Sequence, residues 1–182
     1  NIGFAKLQMQ QELGFNDAIY GMAAGIFFLG YVLFEVPTNL YFEKIGARKT
    51  ITRIMILWGL TSMSMLFVTT PQMFYVLRFL LGVFEAGFAP GMIFYLTYWY
   101  SGARMARVMA IVMLAGPLAG MLGAPLSTQI MGAFHESQGL SGWQWLFLLE
   151  AIPTVMLGIV AYFYLTDHPS QAKWLSQEEK AL

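Results

Sequence analysis

Arg78 and Glu85 are the residues of this chain whose types and surroundings best suit chemistry inside a membrane. They lie at the start of a segment, Arg78 to Trp99, that is otherwise apolar enough to span a bilayer. Because they are seven positions apart, a helix places both on one face, about 10 Å apart along its axis. Charged side chains at membrane depth usually face a partner or a water-filled cavity. The spacing indicates either a structural ion pair or a transport pathway.

The two side chains offer different chemistry. Removal from water favours the protonated form of a carboxyl group, so Glu85 is a candidate proton carrier. An arginine stays charged and presents a planar fork of N–H donors to a carboxylate, so Arg78 is a candidate for binding an anion. With extended side chains the two groups either meet or form two stations on one pathway.

Two further carboxylates lie within apolar segments. Glu150 is predicted to lie about as far from the outer boundary of the membrane as Arg78. It is equally well explained as the partner of that arginine or as an independent group. Glu35 lies one turn before Asn39, and we interpret it as a structural partner of the nearby basic segment and not as a proton site.

The elements that position these residues are apolar helices. The chain is 58% hydrophobic and 11% charged, whereas soluble domains carry about 25% charged residues. Each predicted span has at least the roughly 17 residues needed to cross the hydrocarbon core. The sequence therefore predicts an all-α integral membrane protein. The predicted spans are 18–42, 54–70, 74–99, 108–134 and 143–166.

Segments outside the spans predict the topology. Residues 1–17 are expected to hold the end of a helix and an aqueous connector, and 167–182 a soluble tail. Four of the ten Lys and Arg residues lie in the connector 43–53, and others lie in 100–107 and 167–182. Because positively charged loops stay in the cytoplasm, we expect these three segments to be cytoplasmic.

Glycine and proline residues predict helix packing and kinks. Gly21 and Gly25 form a GxxxG pair, and small residues at this spacing let membrane helices approach closely. Gly116, Pro117 and Gly120 lie within the fourth span. For these three residues a kinked packing helix is favoured over direct contact with a substrate.

Several classes of site are not indicated. The chain has no cysteine, which excludes disulfides, thiolate catalysis and cysteine-based metal sites. His135 and His168 are the two histidines and lie outside the predicted spans, so neither a metal site nor a histidine base is expected. The net charge of +0 gives no sign of a nucleic-acid partner. We expect no enzyme constellation, no cofactor and no metal.

Four stretches resemble the major facilitator superfamily, and within it the anion:cation symporter branch. PTNLYFEKIGARK is similar to that family's cytoplasmic loop between helices two and three, and RFLLGVFEAGFAPG resembles its fourth helix. GWQWLFLLEAIP followed by DHPSQAKWLSQEE resembles the sixth helix and the start of the central loop, and NIGFA resembles the end of the first. The chain would then be an N-terminal six-helix half that lacks most of its first helix.

The resemblance implies a monomeric inner-membrane carrier that imports a small organic anion together with protons by alternating access. Bacterial carriers of 4-hydroxyphenylacetate, phthalate or tartrate are the most similar, so the substrate would be an aromatic or hydroxylated carboxylate. The carrier would need the missing first helix, the C-terminal half and the lipid bilayer. The alternatives are an uncoupled facilitator, a channel or an anion exchanger of the same fold.

The resemblance also assigns residue roles. It implies that Glu85 is the proton-coupling acid and that Arg78 is the substrate-binding arginine of the fourth helix. Tyr31 corresponds to a position that faces the cavity. The cytoplasmic gate motif falls on Asn39, Glu43, Lys44, Gly46, Arg48 and Lys49.

Overall fold

α-Helices make up most of residues 2–176, the part of the chain that the computed structural model describes. Short 3₁₀ turns occur at Met65–Phe67, Ser137–Gly139 and Pro169–Gln171. The predicted tail beyond residue 176, with Lys180, lies outside the described residues, as does Asn1. The α-helices are α1 (Ile2–Leu13), α2 (Asp17–Ile45), α3 (Ala47–Ser64), α4 (Pro71–Glu85), α5 (Phe88–Thr97), α6 (Gly102–Met113), α7 (Ala115–Ala133) and α8 (Gly142–Tyr164).

Five helical stretches within residues 2–176 are long and apolar enough to cross a membrane. Their outer surfaces carry large apolar side chains, for example Val32 with 65% and Phe163 with 80% of its surface exposed. Such surfaces suit lipid or another helix better than water. The all-α membrane architecture predicted from the sequence is confirmed. The stretches are Asp17–Ile45, Ala47–Phe67, Pro71–Thr97, Gly102–Ala133 and Gly142–Tyr164.

The prediction of a loop over 43–53 is wrong. α2 continues to Ile45 and α3 begins at Ala47, so Gly46 alone separates the two helices. Gly46 has φ +93°, a conformation that a residue without a Cβ adopts readily. The basic and acidic residues around it indicate an aqueous boundary, but Glu, Lys and Arg are also good helix formers and therefore do not end a helix. The predicted connector 100–107 is likewise helical from Gly102 onwards.

The third span is interrupted directly after Glu85. The sequence predicts one helix over 74–99, whereas α4 ends at Glu85 and α5 begins at Phe88. Gly87 has φ +82°, and a Cβ added there would lie 2.7 Å from Thr38 of α2. A left-handed glycine therefore breaks the helix where α2 passes close to it. Pro90 falls in the first turn of α5, where its missing N–H costs little.

Two helix pairs carry most of the packing, α2 with α4 and α3 with α8. A Cβ added to Gly82 would overlap the backbone of Phe27, and one added to Gly30 would lie 2.6 Å from the carbonyl oxygen of Phe79. These contacts let the backbones of α2 and α4 approach closely, as small residues do between membrane helices. The expected GxxxG pair does not serve this purpose here, because a Cβ on Gly21 or Gly25 would meet no described atom within 4 Å.

The fourth span is attached loosely to the rest of the described chain. α6 buries none of its residues, and α7 buries Ser127 alone. The helix is interrupted between Met113 and Ala115, because Pro117 has no N–H to bond the carbonyl of Met113. A Cβ added to Gly116 or Gly120 would meet no described atom within 4 Å. The interruption fits the expected kink, whereas the expected packing contact has no counterpart within residues 2–176.

Candidate functional site

A cavity of about 380 Å³ brings together charged residues from separate apolar spans. Arg78 and Glu85 reach it from α4, and Glu150 reaches it from α8. Ser62 and Thr154 add hydroxyl groups to its lining. Apolar walls combined with several polar groups, in a volume of about 300–1,000 Å³, are typical of small-molecule sites. Its larger apolar walls are Ile2, Phe27, Trp58, Met65, Leu81 and Phe147.

Arg78 is held by a backbone carbonyl and an aromatic ring. Its Nε–H donates to the carbonyl oxygen of Ala23 at 3.4 Å, and its Cζ lies 4.5 Å from the centroid of the Phe27 ring. Within residues 2–176, no carboxylate oxygen lies within 4.0 Å of the guanidinium nitrogens. The ring contact contributes a cation–π attraction, while the terminal Nη groups keep their donors for another partner. Arg78 and Glu85 therefore share the cavity without forming an ion pair.

Glu85 is the last residue of α4 and lies at the helix break. Its side chain is half-buried and lines the cavity, and it interacts electrostatically with Arg78 across it. No hydrogen bond to its carboxylate is found in the described part of the chain. The break leaves backbone N–H and C=O groups without intrahelical partners beside this acid. Interrupted helices of this kind form the midplane sites of many transporters.

Glu150 is held from the opposite side of the cavity. Its Oε1 accepts a hydrogen bond from the Ser127 hydroxyl of α7 at 2.6 Å. Among the described residues it makes no ion pair with Arg78 within 4.0 Å. The sequence leaves open whether Glu150 is the partner of Arg78 or an independent group. This geometry corresponds to an independent group. The sequence alone does not identify Ser127 as part of this site, because its partner lies 23 positions away on another helix.

Tyr31 lies on α2 beside the cavity, and it is not one of the residues that line it. Its ring centroid is 6.2 Å from that of Phe27, and its backbone nitrogen faces Gly82 of α4. Its hydroxyl is close enough to Glu35 and to Glu85 for electrostatic interactions. Tyr31 therefore belongs to the wall between α2 and α4, next to the candidate acid.

The residues of the expected gate motif lie at the junction of α2 and α3. The backbone N–H of Arg48, in the first turn of α3, donates to Asp167 Oδ1 at 2.8 Å. A carboxylate at a helix N-terminus satisfies a free N–H and complements the helix dipole. The guanidinium of Arg48 lies over the ring of Tyr162, with Cζ 5.5 Å from its centroid. Gly46 leaves room for Asp167, because an added Cβ would lie 2.6 Å from its Oδ1.

The other motif residues are less constrained. Asn39 is partly buried, and its backbone nitrogen would be 3.7 Å from a Cβ on Gly87. Glu43, Lys44 and Lys49 are exposed and form no ion pair within 4.0 Å among residues 2–176. Asp167, the acid that engages this junction, lies 119 positions from Arg48, so nothing local in the sequence identifies it.

At the opposite end of the bundle, α1 is attached to the start of α8. Glu12 Oε2 accepts hydrogen bonds from Ser141 Oγ at 2.5 Å and from Trp143 Nε1 at 2.8 Å. Gln8 Oε1 accepts from the backbone N–H of Trp143 at 2.9 Å. Ser141 and Gln144 also form a capping box at the N-terminus of α8. These contacts fix α1 against α8 beside the cavity.

Comparison with known proteins agrees with this architecture. The chain matches the Major Facilitator Superfamily over residues 1–182. It is 55% identical over 181 residues to "Putative metabolite transport protein NicT" of Pseudomonas putida, covering 100% of this chain and 41% of that protein. It is 56% identical over 180 residues to a "Putative tartrate transporter" of Agrobacterium vitis, covering 99% and 41%. The chain thus spans about two-fifths of the length of these relatives.

A solved structure shares the fold. It is the crystal structure of a bacterial homologue of the human lysosomal transporter Spinster, in an inward-facing and occupied conformation. The TM-score is 0.72 at 17% sequence identity, and the match covers 97% of this chain and 42% of that one. At this identity the likeness concerns the fold alone. With five membrane-spanning stretches and a family match over its whole length, the chain belongs to the Major Facilitator Superfamily, a family of membrane transporters and not of enzymes.

Proposed function

We propose that this chain is the N-terminal part of an H⁺-coupled symporter that imports a small organic anion by alternating access. The observation that carries the proposal is the cavity in which Arg78 makes no ion pair with Glu85 or Glu150. A charged group at membrane depth is costly unless it has a function or a partner. An anionic substrate would supply the partner for Arg78.

The cavity lining supports an aromatic or hydroxylated carboxylate as the substrate. The guanidinium of Arg78 would bind the carboxylate, since its planar fork matches two oxygens. Trp58 and Phe27 offer aromatic surface, and Ser62 and Thr154 offer hydrogen bonds to a hydroxyl group. The relative named for tartrate transport gives independent support for a carboxylate. Tyr31 would complete the wall beside the bound substrate.

Glu85 would carry the coupled proton. Moving a monoanion against an interior-negative potential costs about 2.3 kcal/mol per 100 mV, and one accompanying proton cancels that charge. The pH gradient then supplies about 1.4 kcal/mol per pH unit. A half-buried carboxylate next to the substrate-binding arginine suits this task, because it can be neutral in one state of the cycle and ionised in another.

The α2–α3 junction would act as the cytoplasmic gate. The second half of the transporter would contact the gate residues there, namely Asn39, Glu43, Lys44, Gly46, Arg48 and Lys49.

We expect a monomer in the inner membrane, with 43–53, 100–107 and 167–182 in the cytoplasm. His135→Cys and Gly102→Cys test this orientation in a variant without other cysteines. An impermeant thiol reagent added to whole cells should label position 135 and not 102, and the reverse pattern would invert the topology.

Transport by the purified full-length protein in proteoliposomes tests the proposed function. A pH-sensitive dye is sealed inside, and small aromatic and hydroxylated carboxylates are added outside one at a time. Symport predicts acidification of the interior that depends on the added carboxylate and accompanies its uptake. Uptake without acidification would assign the protein to an uncoupled facilitator, and uptake that occurs only into vesicles preloaded with carboxylate would assign it to an exchanger. Absence of uptake of every carboxylate tested would contradict the assignment of the substrate class.

A further inference from the structure

Ser127 differs from every other residue of α7, a helix that lies wholly within the described range. It is the one buried residue of that helix, with 0% of its surface exposed, whereas Leu122 is 61% and Leu126 52% exposed. Its hydroxyl donates to Glu150 Oε1 at 2.6 Å. Because a buried hydroxyl is costly without a hydrogen bond, this contact accounts for a polar residue at the buried position of an apolar helix.

Glu150 has an attractive alternative partner in the same cavity. Arg78 also lines that space, and the attraction between opposite charges grows as the surroundings become less polar. An arginine and a carboxylate can form two parallel hydrogen bonds. The two groups nevertheless stay more than 4.0 Å apart, as judged from the described residues. If they paired, Glu150 would occupy the donors that a substrate carboxylate needs.

We propose that Ser127 is a positioning residue for substrate binding. Its hydroxyl holds the Glu150 carboxylate towards α7 and thereby keeps it from closing onto Arg78. Arg78 then keeps its terminal N–H groups for the substrate. This inference rests on the proposed role of Arg78 in binding an anion.

The first test uses transport kinetics of the full-length protein. Ser127→Ala should raise KM about tenfold, equivalent to about 1.4 kcal/mol, with little change in kcat or in the amount of protein in the membrane. Glu150→Gln in the same chain should reverse the increase, because the amide has no charge with which to capture Arg78. A KM that stays unchanged in Ser127→Ala, or that stays raised in the double variant, would overturn the inference.

Thr128→Ala is the matched control. Thr128 is the neighbouring hydroxyl residue on α7, is exposed, and bonds the backbone carbonyl of Ala124 in its own helix at 2.9 Å. Thr128→Ala removes a hydroxyl and a methyl group from the same helix, and Thr128 does not line the cavity. We expect KM to stay at the wild-type value. A tenfold increase in this control would show a general effect of α7 and would overturn the specific role of Ser127.

The second test needs no substrate. Phenylglyoxal modifies accessible guanidinium groups, and mass spectrometry of the peptide containing Arg78 gives the rate at that residue. Ser127→Ala should slow the modification of Arg78 several-fold by letting Glu150 cover it, and the added Glu150→Gln should restore the rate. An unchanged rate in Ser127→Ala overturns the inference even if carboxylate transport is demonstrated. A slowed and restored rate supports it even if the substrate belongs to another class.

Discussion

The polar groups at the two ends of the bundle differ from those in the cavity. At one end Glu12 binds Trp143, and at the other Asp167 binds the backbone of Arg48. In the cavity, Arg78 has no carboxylate partner within 4.0 Å among residues 2–176. The paired groups join helices that are far apart in sequence and so stabilise the fold. Arg78 contacts α2 through the Ala23 carbonyl and the Phe27 ring, and its terminal N–H groups remain available to a ligand.

This difference predicts that substitutions in the two regions have opposite consequences. Loss of a paired end group should lower stability and leave substrate affinity unchanged. Loss of the Arg78 guanidinium should change transport and leave stability almost unchanged, because the cost of burying a charge that has no ion-pair partner offsets the contacts of Arg78 with Ala23 and Phe27. The next three predictions compare the two regions and proceed from the largest expected effect to the smallest.

Arg78→Lys should have the largest effect of the three variants that compare the two regions. Lysine keeps the charge but lacks the planar fork, so we expect kcat/KM to fall about a hundredfold, equivalent to about 2.8 kcal/mol. The measurement is carboxylate uptake normalised to the amount of protein in the membrane. Arg104→Lys, at an exposed position in α6, is the control and should transport normally. Normal uptake by Arg78→Lys would make Arg78 a structural residue and remove the contrast between the two regions.

Gly82→Val should have the next largest effect, on folding. The added side chain would overlap the backbone of Phe27 and force α2 away from α4, at a cost of about 1–3 kcal/mol as for other overpacked sites. Thermal unfolding of the purified full-length protein in detergent measures this loss. Gly21→Val is the matched control on α2, since an added Cβ there meets no described atom within 4 Å. Equal melting temperatures for both variants would contradict the close approach of the two helices.

Asp167→Ala should have a smaller effect, and on stability alone. It removes the acceptor for the N–H of Arg48 at the start of α3, and loss of a helix cap costs about 1 kcal/mol. The expected result is a lower melting temperature with KM unchanged. Asp17→Ala is the control, because Asp17 pairs with Lys6 at an exposed site, with 82% of its side chain exposed, where ion pairs contribute little. A raised KM in Asp167→Ala would link this end of the bundle directly to the binding site.

The sequence predicts the spans and the charged face well, because both depend on local patterns. Long apolar runs determine the membrane helices, and the spacing of Arg78 and Glu85 brings both to one cavity. The interruption after Glu85 is less obvious, although Gly87 and Pro90 are residues that often interrupt helices. The break depends on the close passage of α2 at Thr38, which a local pattern does not reveal.

Contacts between distant helices account for what the sequence does not predict. The partners Ser127 and Glu150 lie on different helices, and the partners Arg48 and Asp167 are 119 positions apart. Close helix packing uses Gly30 and Gly82 and not the GxxxG pair at Gly21 and Gly25, because it depends on which helix faces are opposed. Such choices follow from the assembled bundle.

The most direct test of the account is a pair of transport measurements on Glu85→Gln in the full-length protein. Glutamine resembles the protonated acid permanently and releases no proton. We predict that accumulation driven by an imposed pH gradient is abolished, while exchange of internal for external substrate at equal pH continues. Accumulation that persists and follows the pH gradient would contradict the coupling role of Glu85. Loss of both activities together with loss of substrate binding would instead make Glu85 a structural or binding residue.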